Sequence, residues 1–246
     1  MNDTTPQLHW LEPTDPADSF PDPSRALAEP PGLLAVGGDL SVARLLAAYR
    51  RGIFPWYQDD QPILWWSPDP RAVLFPAELR ISRSLRKTLR RSEYSVSLDQ
   101  DFAGVMAGCA EDRADPGTWI TADMLDAYAA LHRAGHAHSV ETWHHGQLVG
   151  GLYGVSLGAV FFGESMFSRR TDASKVALVK LVSVCRTIGV ELIDCQLASS
   201  HLASLGSRQI ARDEFQNLLH RYIGFPAPDG WAEPAAGTDD MIAGSA

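Results

Sequence analysis

Residues 159–196, AVFFGESMFSRRTDASKVALVKLVSVCRTIGVELIDCQ, read as strand, loop, helix and strand. The first ten are apolar or aromatic except at the glycine, the serines and Glu164. Residues 174–188 are apolar on nearly every face, the pattern of a buried helix. VELIDCQ (190–196) is a second strand. Working outward, residues 137–164 alternate with turns at His144-His145-Gly146 and Ser156-Leu157-Gly158, which predicts a three-stranded antiparallel meander. Strands near 71–75 and 94–98 and helices over 101–110 and from Ala122 to Ala134 precede it, and short helices run on to Ile223. The fold class is α+β, with a mixed, largely antiparallel sheet.

Glu164 is a lone carboxylate among Phe161, Phe162, Met166 and Phe167. Desolvating a charge is costly unless something pairs with it. Two readings stand: a strand end turned to water, or a site built to meet a cation or a proton. Asp194 and Gln196 are two apart on the last strand, so they share a face while Cys195 points the other way.

The N-terminal part is organised differently. Residues 1–31 hold seven prolines and six acids, with Arg25 the only Lys or Arg, and read as an extended, loosely structured lead-in. A short strand over 32–36 leads to a helix capped by Ser41, with Val42, Leu45, Leu46 and Tyr49 on one face and Gly52 as its stop. Prolines at 55, 62, 68 and 70 exclude a regular helix there. The expected organisation is a small N-terminal α/β domain over 1–70, a larger domain over 71–233, and a disordered tail over 234–246.

Composition excludes several classes. With 45% hydrophobic and 21% charged residues, the 246-residue chain is globular. No apolar run approaches the roughly 20 residues that span a bilayer, and the N-terminus lacks a signal-peptide pattern. Cys109, Cys185 and Cys195 form no C-x-x-C and read as buried thiols of a cytoplasmic protein. His136, His138, His144 and His145 have no Cys or carboxylate at ligand spacing, so no metal is expected. The net charge of −9 is unevenly spread. Residues 80–91 hold six of the 21 basic side chains and no acid, leaving 15 against 30 acidic residues elsewhere. Ile81, Leu85 and Leu89 share one helical face, and Arg83, Arg86, Lys87, Arg90 and Arg91 cover the rest, a footprint for phosphates. A solvated helix is the alternative.

Meander, loop, buried helix and strand together resemble the GNAT acyltransferase architecture. That fold grips the pyrophosphate of coenzyme A with a glycine-rich loop before the helix. Here the loop is FSRRTDASK (167–175), without glycine, so an acyl donor other than coenzyme A is expected.

GLLAVGGDLS (32–41), GIFPW (52–56), LWWSPDPRAVL (64–74), ISRS (81–84), GTWIT (117–121), GHAHS (135–139), GESMFSR (163–169) and LIDCQ (192–196) together resemble one family, the bacterial leucyl/phenylalanyl-tRNA–protein transferases. The resemblance runs from about residue 26 to 224. It implies a small N-terminal domain joined to a GNAT-like domain, and transfer of Leu, Phe or Met from aminoacyl-tRNA to proteins beginning with Lys or Arg, which marks them for degradation. It implies no organic cofactor, and two partners: the aminoacyl-tRNA, held by its 3′ aminoacyl-adenosine and acceptor stem, and the acceptor protein. A monomer is expected.

Under that resemblance Trp56 and Trp119 wall the terminal adenosine, and Asp194 and Gln196 orient, or relay a proton from, the attacking amine. Leu152, Phe161, Met166, Leu178 and Ile193 are candidates for the pocket of the donor side chain, though each could be ordinary core. The family pattern has Met at 152 and Phe at 181 where this chain has Leu, so the order of Leu, Phe and Met as donors stays open. Arg169, Arg170 and Lys175 are placed to meet tRNA phosphates, with plain surface charge as the alternative. Glu164 then acquires a third role, as charge partner of the donor's α-ammonium. Two rivals are a coenzyme A–dependent N-acetyltransferase and a non-catalytic adaptor for basic N-termini.

Overall fold

The computed structural model describes residues 8–111, 120–226 and 230–231. The expected tail over 234–246 and Trp119 lie outside the described residues.

Two sheets form the frame. The smaller has strands β1 (His9–Leu11), β2 (Leu33–Gly37), β3 (Phe54–Pro55) and β4 (Leu64–Trp66) in the order β1-β2-β4-β3. From residue 8 onward the lead-in is therefore more ordered than its prolines suggest. β1 pairs parallel with β2, and Leu11 and Phe20 are buried in the core, Phe20 edge-on to Trp65. Prolines stop helices there, but an edge strand needs few backbone donors. Helix α1 (Val42–Tyr49) starts at Ser41, whose hydroxyl accepts the Arg44 amide N–H, as its capping chemistry predicts.

The larger sheet has seven strands: β5 (Arg71–Leu74), β6 (Ser95–Leu98), β7 (Ala137–His144), β8 (Gln147–Leu157), β9 (Val160–Ser168), β10 (Leu192–Gln196) and β11 (Arg208–Ile210). Their order is β11-β5-β10-β9-β8-β7-β6, and only the β9–β10 pair is parallel. This is the expected α+β class with a mixed, largely antiparallel sheet. The β7–β8 turn has His145 and Gly146 both at positive φ (50° and 76°), the two-residue turn whose twist suits a hairpin. β11 is not legible in the sequence, because three residues at a sheet edge carry too little periodicity.

Helices cover both faces. α5 (Ala173–Ile188) links the parallel pair and shares a core with α2 (Arg83–Arg91) through Leu85, Val179 and Val182. α3 (Phe102–Glu111) and α4 (Ala122–Arg133) pack on the opposite face, where their core is continuous with α1 and the small sheet. Two further helices, α6 (Ser200–Ser204) and α7 (Arg212–Tyr222), close the C-terminal side.

A glycine sets the shape of β9. Across from β8, Tyr153 pairs with Ser165 and Gly154 with Gly163, so Glu164 is an extra residue in a β-bulge. A Cβ on Gly154 would lie 2.2 Å from the Phe162 carbonyl oxygen and 2.6 Å from the Phe161 ring. On Gly163 it would meet only the Asp194 carbonyl oxygen, at 3.5 Å. Gly154→Ala is expected to cost about 2 kcal/mol, in the range of overpacked cores, and Gly163→Ala much less. Thermal melts of the two variants check this, and equal losses would contradict the bulge geometry.

Candidate active site

The parallel pairing of β9 with β10 stops at Phe162 and Asp194, although β9 runs on to Ser168. Beyond that point the strands part, and a cavity of about 290 Å³ lies between them. Leu152, Phe161, Met166, Leu178 and Ile193 all line it, joined by Leu181 and Leu202. Five residues from the consecutive elements β8, β9, α5 and β10 thus converge on one apolar wall. Glu164, Asp194 and Gln196 line the same cavity.

Trp56 is elsewhere. It lines a smaller recess of about 150 Å³ with Phe54, Pro55 and Leu197, and that recess shares Glu164, Cys195 and Gln196 with the main cavity. Trp56 is held edge-on to Trp66, whose indole N–H donates to the Trp56 carbonyl, and remains 41% exposed. An exposed, fixed indole face is available for stacking. Trp65 is fully buried core.

The bulge turns Glu164 inward, which removes the water-facing reading. Only 9% of it is exposed. Oε1 accepts from the Tyr49 hydroxyl at 2.8 Å and from the Gln196 side-chain amide at 3.1 Å, and Oε2 accepts from the Tyr128 hydroxyl at 2.9 Å. The Tyr49 and Tyr128 hydroxyls also touch each other. Burial pushes the Glu164 carboxyl up from its ordinary 4.5 to about 7. The Asp194 charge adds to that rise, and the hydrogen bonds from Tyr49, Tyr128 and Gln196 oppose it. Proton counting points the same way. Four hydrogen bonds join these groups, and an ionised Glu164 leaves three protons to fill them. A protonated Glu164 fills all four. Both tyrosines are held well above their ordinary 10, first by burial and then by the Glu164 charge, so they stay neutral donors.

Asp194 is fully buried and already engaged. Its Oδ1 accepts from Arg71 Nε at 2.8 Å and from the Gln196 amide N–H at 2.9 Å, and its Oδ2 accepts from Arg71 Nη2 at 2.7 Å. The strand alternation expected for Asp194, Cys195 and Gln196 fails here. The register with β5 shifts between Asp194 and Gln196, and Gln196 adopts φ 57°. A left-handed residue other than glycine costs roughly 1–2 kcal/mol and invites a functional explanation. Cys195 is half-buried, unlike the fully buried Cys109 and Cys185, and its thiol is pushed up by burial.

Arg83, Arg86, Lys87, Arg90 and Arg91 line a shallow basin on α2. Arg91 also borders a second polar recess with Tyr94, Arg169 and Arg170. Ile81 precedes the helix, which begins after Ser82, yet still packs on the core beside Leu85 and Leu89. Lys175 is tied to Asp172 at 3.0 Å, and Arg169 to Glu111 at 2.7 Å, so both reach phosphates less freely than their sequence position suggests.

The start of α5 does not fit a coenzyme A pyrophosphate. Such a site needs free backbone N–H groups and close approach. The Ala173 N–H is given to the Arg170 carbonyl, the Ser174 N–H to the Ser168 hydroxyl, and the Asp172 carboxylate stands beside them. Among the described residues no three His, Cys, Asp or Glu side chains converge as a metal site, and no helix is long and apolar enough to cross a membrane.

Sequence reasoning missed Tyr49, Tyr128 and Arg71. Arg71 carried a usable signal, a lone cation opening the apolar strand RAVL, the same kind that singled out Glu164. The tyrosines gave none, because a Tyr on an apolar helical face looks like core.

The raised Glu164 carboxyl carries a stability consequence. The folded protein holds this proton more tightly than the unfolded chain, so the contribution is complete below about pH 4.5 and is lost as pH rises through about 7. Glu164→Gln is expected to raise the melting temperature above pH 7 and to change it little near pH 4.5. Melts across pH check this, and a gain confined to low pH would contradict it.

Comparison with known proteins identifies a family. A family profile described as leucyl/phenylalanyl-tRNA protein transferase matches residues 73–220, and that of its N-terminal domain matches residues 38–69. Among curated relatives, the leucyl/phenylalanyl-tRNA–protein transferase of Methylococcus capsulatus is 59% identical over 226 residues, covering 91% of this chain and 96% of that protein. The one from Syntrophobacter fumaroxidans is 62% identical over 203 residues, covering 82% and 87%. Among solved structures, a GCN5-related N-acetyltransferase from Kribbella flavida overlaps 68% of this chain and 60% of its own at 10% identity and a TM-score of 0.41, too loose an overlap to build on. The chain belongs to the leucyl/phenylalanyl-tRNA–protein transferase family.

Proposed function

We propose that this protein transfers Leu or Phe, and also Met, from aminoacyl-tRNA to the N-terminal amine of proteins that begin with Lys or Arg, marking them for degradation in the cytoplasm. The reading is of a monomer with no metal and no organic cofactor, its small domain dividing from the catalytic domain near residue 70. The observation that carries it is a carboxylate, Glu164, set at the rim of an apolar cavity of about 290 Å³. A donor aminoacyl group is an apolar side chain with a charged α-ammonium beside it.

The cavity and the recess beside it support a role for each group they bring together. Leu152, Phe161, Met166, Leu178 and Ile193 receive the donor side chain, with Met166 adjusting to branched or aromatic guests. Ionised Glu164 meets the α-ammonium. Trp56, together with Trp119, stacks on the terminal adenine, worth about 1–3 kcal/mol per base. The acceptor amine enters past Gln196, whose side-chain amide orients the reacting groups. Its nitrogen attacks the ester carbonyl, the amide bond forms, the ester C–O bond breaks, and the ribose oxygen leaves with the proton that the amine loses. An ester is already activated, so alignment supplies most of the acceleration, up to about 7–11 kcal/mol. The engaged oxygens of Asp194 suit an orienting role better than that of a base. Arg83, Arg86, Lys87, Arg90 and Arg91 hold acceptor-stem phosphates.

Incubation with an Arg-starting peptide and Leu-tRNA or Phe-tRNA in turn, read by mass spectrometry, is expected to add one leucyl or phenylalanyl residue. No mass gain with either would leave the adaptor reading, and an acetyl gain with acetyl-coenzyme A the acetyltransferase reading. In the same assay Glu164→Gln is expected to keep the fold, reduce transfer, remove the rise in rate around pH 7, and narrow the discrimination against N-acetylated donors. Unchanged discrimination would return Glu164 to a structural or acid–base role. Arg90→Ala with Arg91→Ala is expected to weaken use of full aminoacyl-tRNA and lower its salt slope by about 0.9 for each phosphate no longer neutralised, while a short aminoacyl-nucleotide donor reacts as before. An unchanged slope would return α2 to a solvated surface.

A further inference from the structure

We propose that Arg71 is a positioning residue for transfer: it clamps Asp194, and the clamped carboxylate fixes the Gln196 turn that aims the side-chain amide at Glu164. This rests on the transferase reading above and adds a residue to it.

The chain of contacts is continuous. Arg71 opens β5, and its guanidinium is 1% exposed. It lies 4.9 Å from the ring centroid of Phe54 on β3 and 4.6 Å from that of Phe215 on α7. Two rings from two elements thus hold the plane of the fork, which presents Nε and Nη2 to the two oxygens of Asp194 at 2.8 and 2.7 Å. A guanidinium so placed fixes both the position and the rotation of a carboxylate, which a lysine cannot do. Asp194 Oδ1 also accepts the Gln196 amide N–H at 2.9 Å. That bond holds Gln196 at φ 57°, and from there its side-chain amide reaches Glu164 Oε1 at 3.1 Å.

The same relay sets the electrostatics of Glu164. The groups around it are Tyr49 from α1, Tyr128 from α4, and Gln196 and Asp194 from β10, with Tyr153 from β8 beyond the two tyrosines. Asp194 is the negative charge among them, and Arg71 balances it. Removing the anion should let Glu164 ionise at lower pH. Removing the cation while the anion stays should make Glu164 ionise at higher pH. A side chain that served packing alone would produce neither shift.

The test compares wild type, Asp194→Asn, Arg71→Met and Arg71→Lys in the full-length protein. Two readouts are taken: the pH profile of kcat with an aminoacyl-adenosine donor and an Arg-starting peptide, and direct titration of the Glu164 carboxyl by carbon-13 NMR. The expected result is that the midpoint moves down in Asp194→Asn and up in Arg71→Met. In Arg71→Lys it stays near wild type, while kcat falls about 10–100-fold from the lost alignment with KM for the aminoacyl-adenosine donor little changed. Circular dichroism and melts confirm that each variant folds. Midpoints that do not move, or kcat losses that only follow the melting temperatures, would overturn the proposal. So would complete loss of both transfer and the pH limb in folded Asp194→Asn, which would make Asp194 the proton acceptor. Should wild type transfer nothing, the transferase reading falls, and the NMR midpoints still decide the Arg71–Asp194 relation.

Discussion

The parting of β9 from β10 is the constraint on which the site depends. Two parallel strands joined by a buried helix pair as far as Phe162 and Asp194 and then separate. Separation leaves backbone and side chains without a sheet neighbour, and two devices compensate. On β9 a bulge turns Glu164 toward Tyr49 and Tyr128. On the other side of β10, which stays paired with β5, Arg71 of β5 fixes Asp194. A fully buried ion pair is not kept for stability alone, since apolar residues of like volume often serve as well, but removing one partner costs about 3–5 kcal/mol. Here the pair holds a strained residue, Gln196, at the mouth of a cavity.

The site is shared between the two sheets. Tyr49 stands on the helix that follows β2, and its ring lies 5.1 Å from that of Phe162. Phe54 on β3 shields Arg71, and Trp56 just beyond β3 lines the second recess. Glu164 and Gln196 thus lie between an apolar cavity made by the larger sheet and an aromatic recess walled by the smaller. That arrangement suits a donor that spans both spaces, its apolar side chain in the cavity and its adenine in the recess.

Much of the fold was legible because it rests on periodicity and turn chemistry. The meander, its His145–Gly146 turn, the buried α5 and the Ser41 cap follow from local rules. The five apolar wall residues were legible too, since they sit beside the one carboxylate of an apolar run, on the helix and strand that follow it or, for Leu152, on the strand before it. What the sequence could not convey arises between distant elements. β1 and β11 are three residues long and exist through their partners. The engagement of Asp194 needs Arg71, 123 positions away, and the bulge at Gln196 broke the alternation on which the reading of 194–196 relied. Tyr49 and Tyr128 lie 115 and 36 positions before Glu164, and only packing brings them together.

The central claim is that Glu164 and the apolar cavity together hold a free aminoacyl group. A crystal structure with a non-hydrolysable, amide-linked phenylalanyl-adenosine tests it most directly. The account predicts the phenyl ring between Met166, Leu178 and Ile193, the α-nitrogen within hydrogen-bonding distance of the Glu164 carboxylate, and the adenine against Trp56. A ring seated against Trp56, or an α-nitrogen turned away from Glu164, would contradict it.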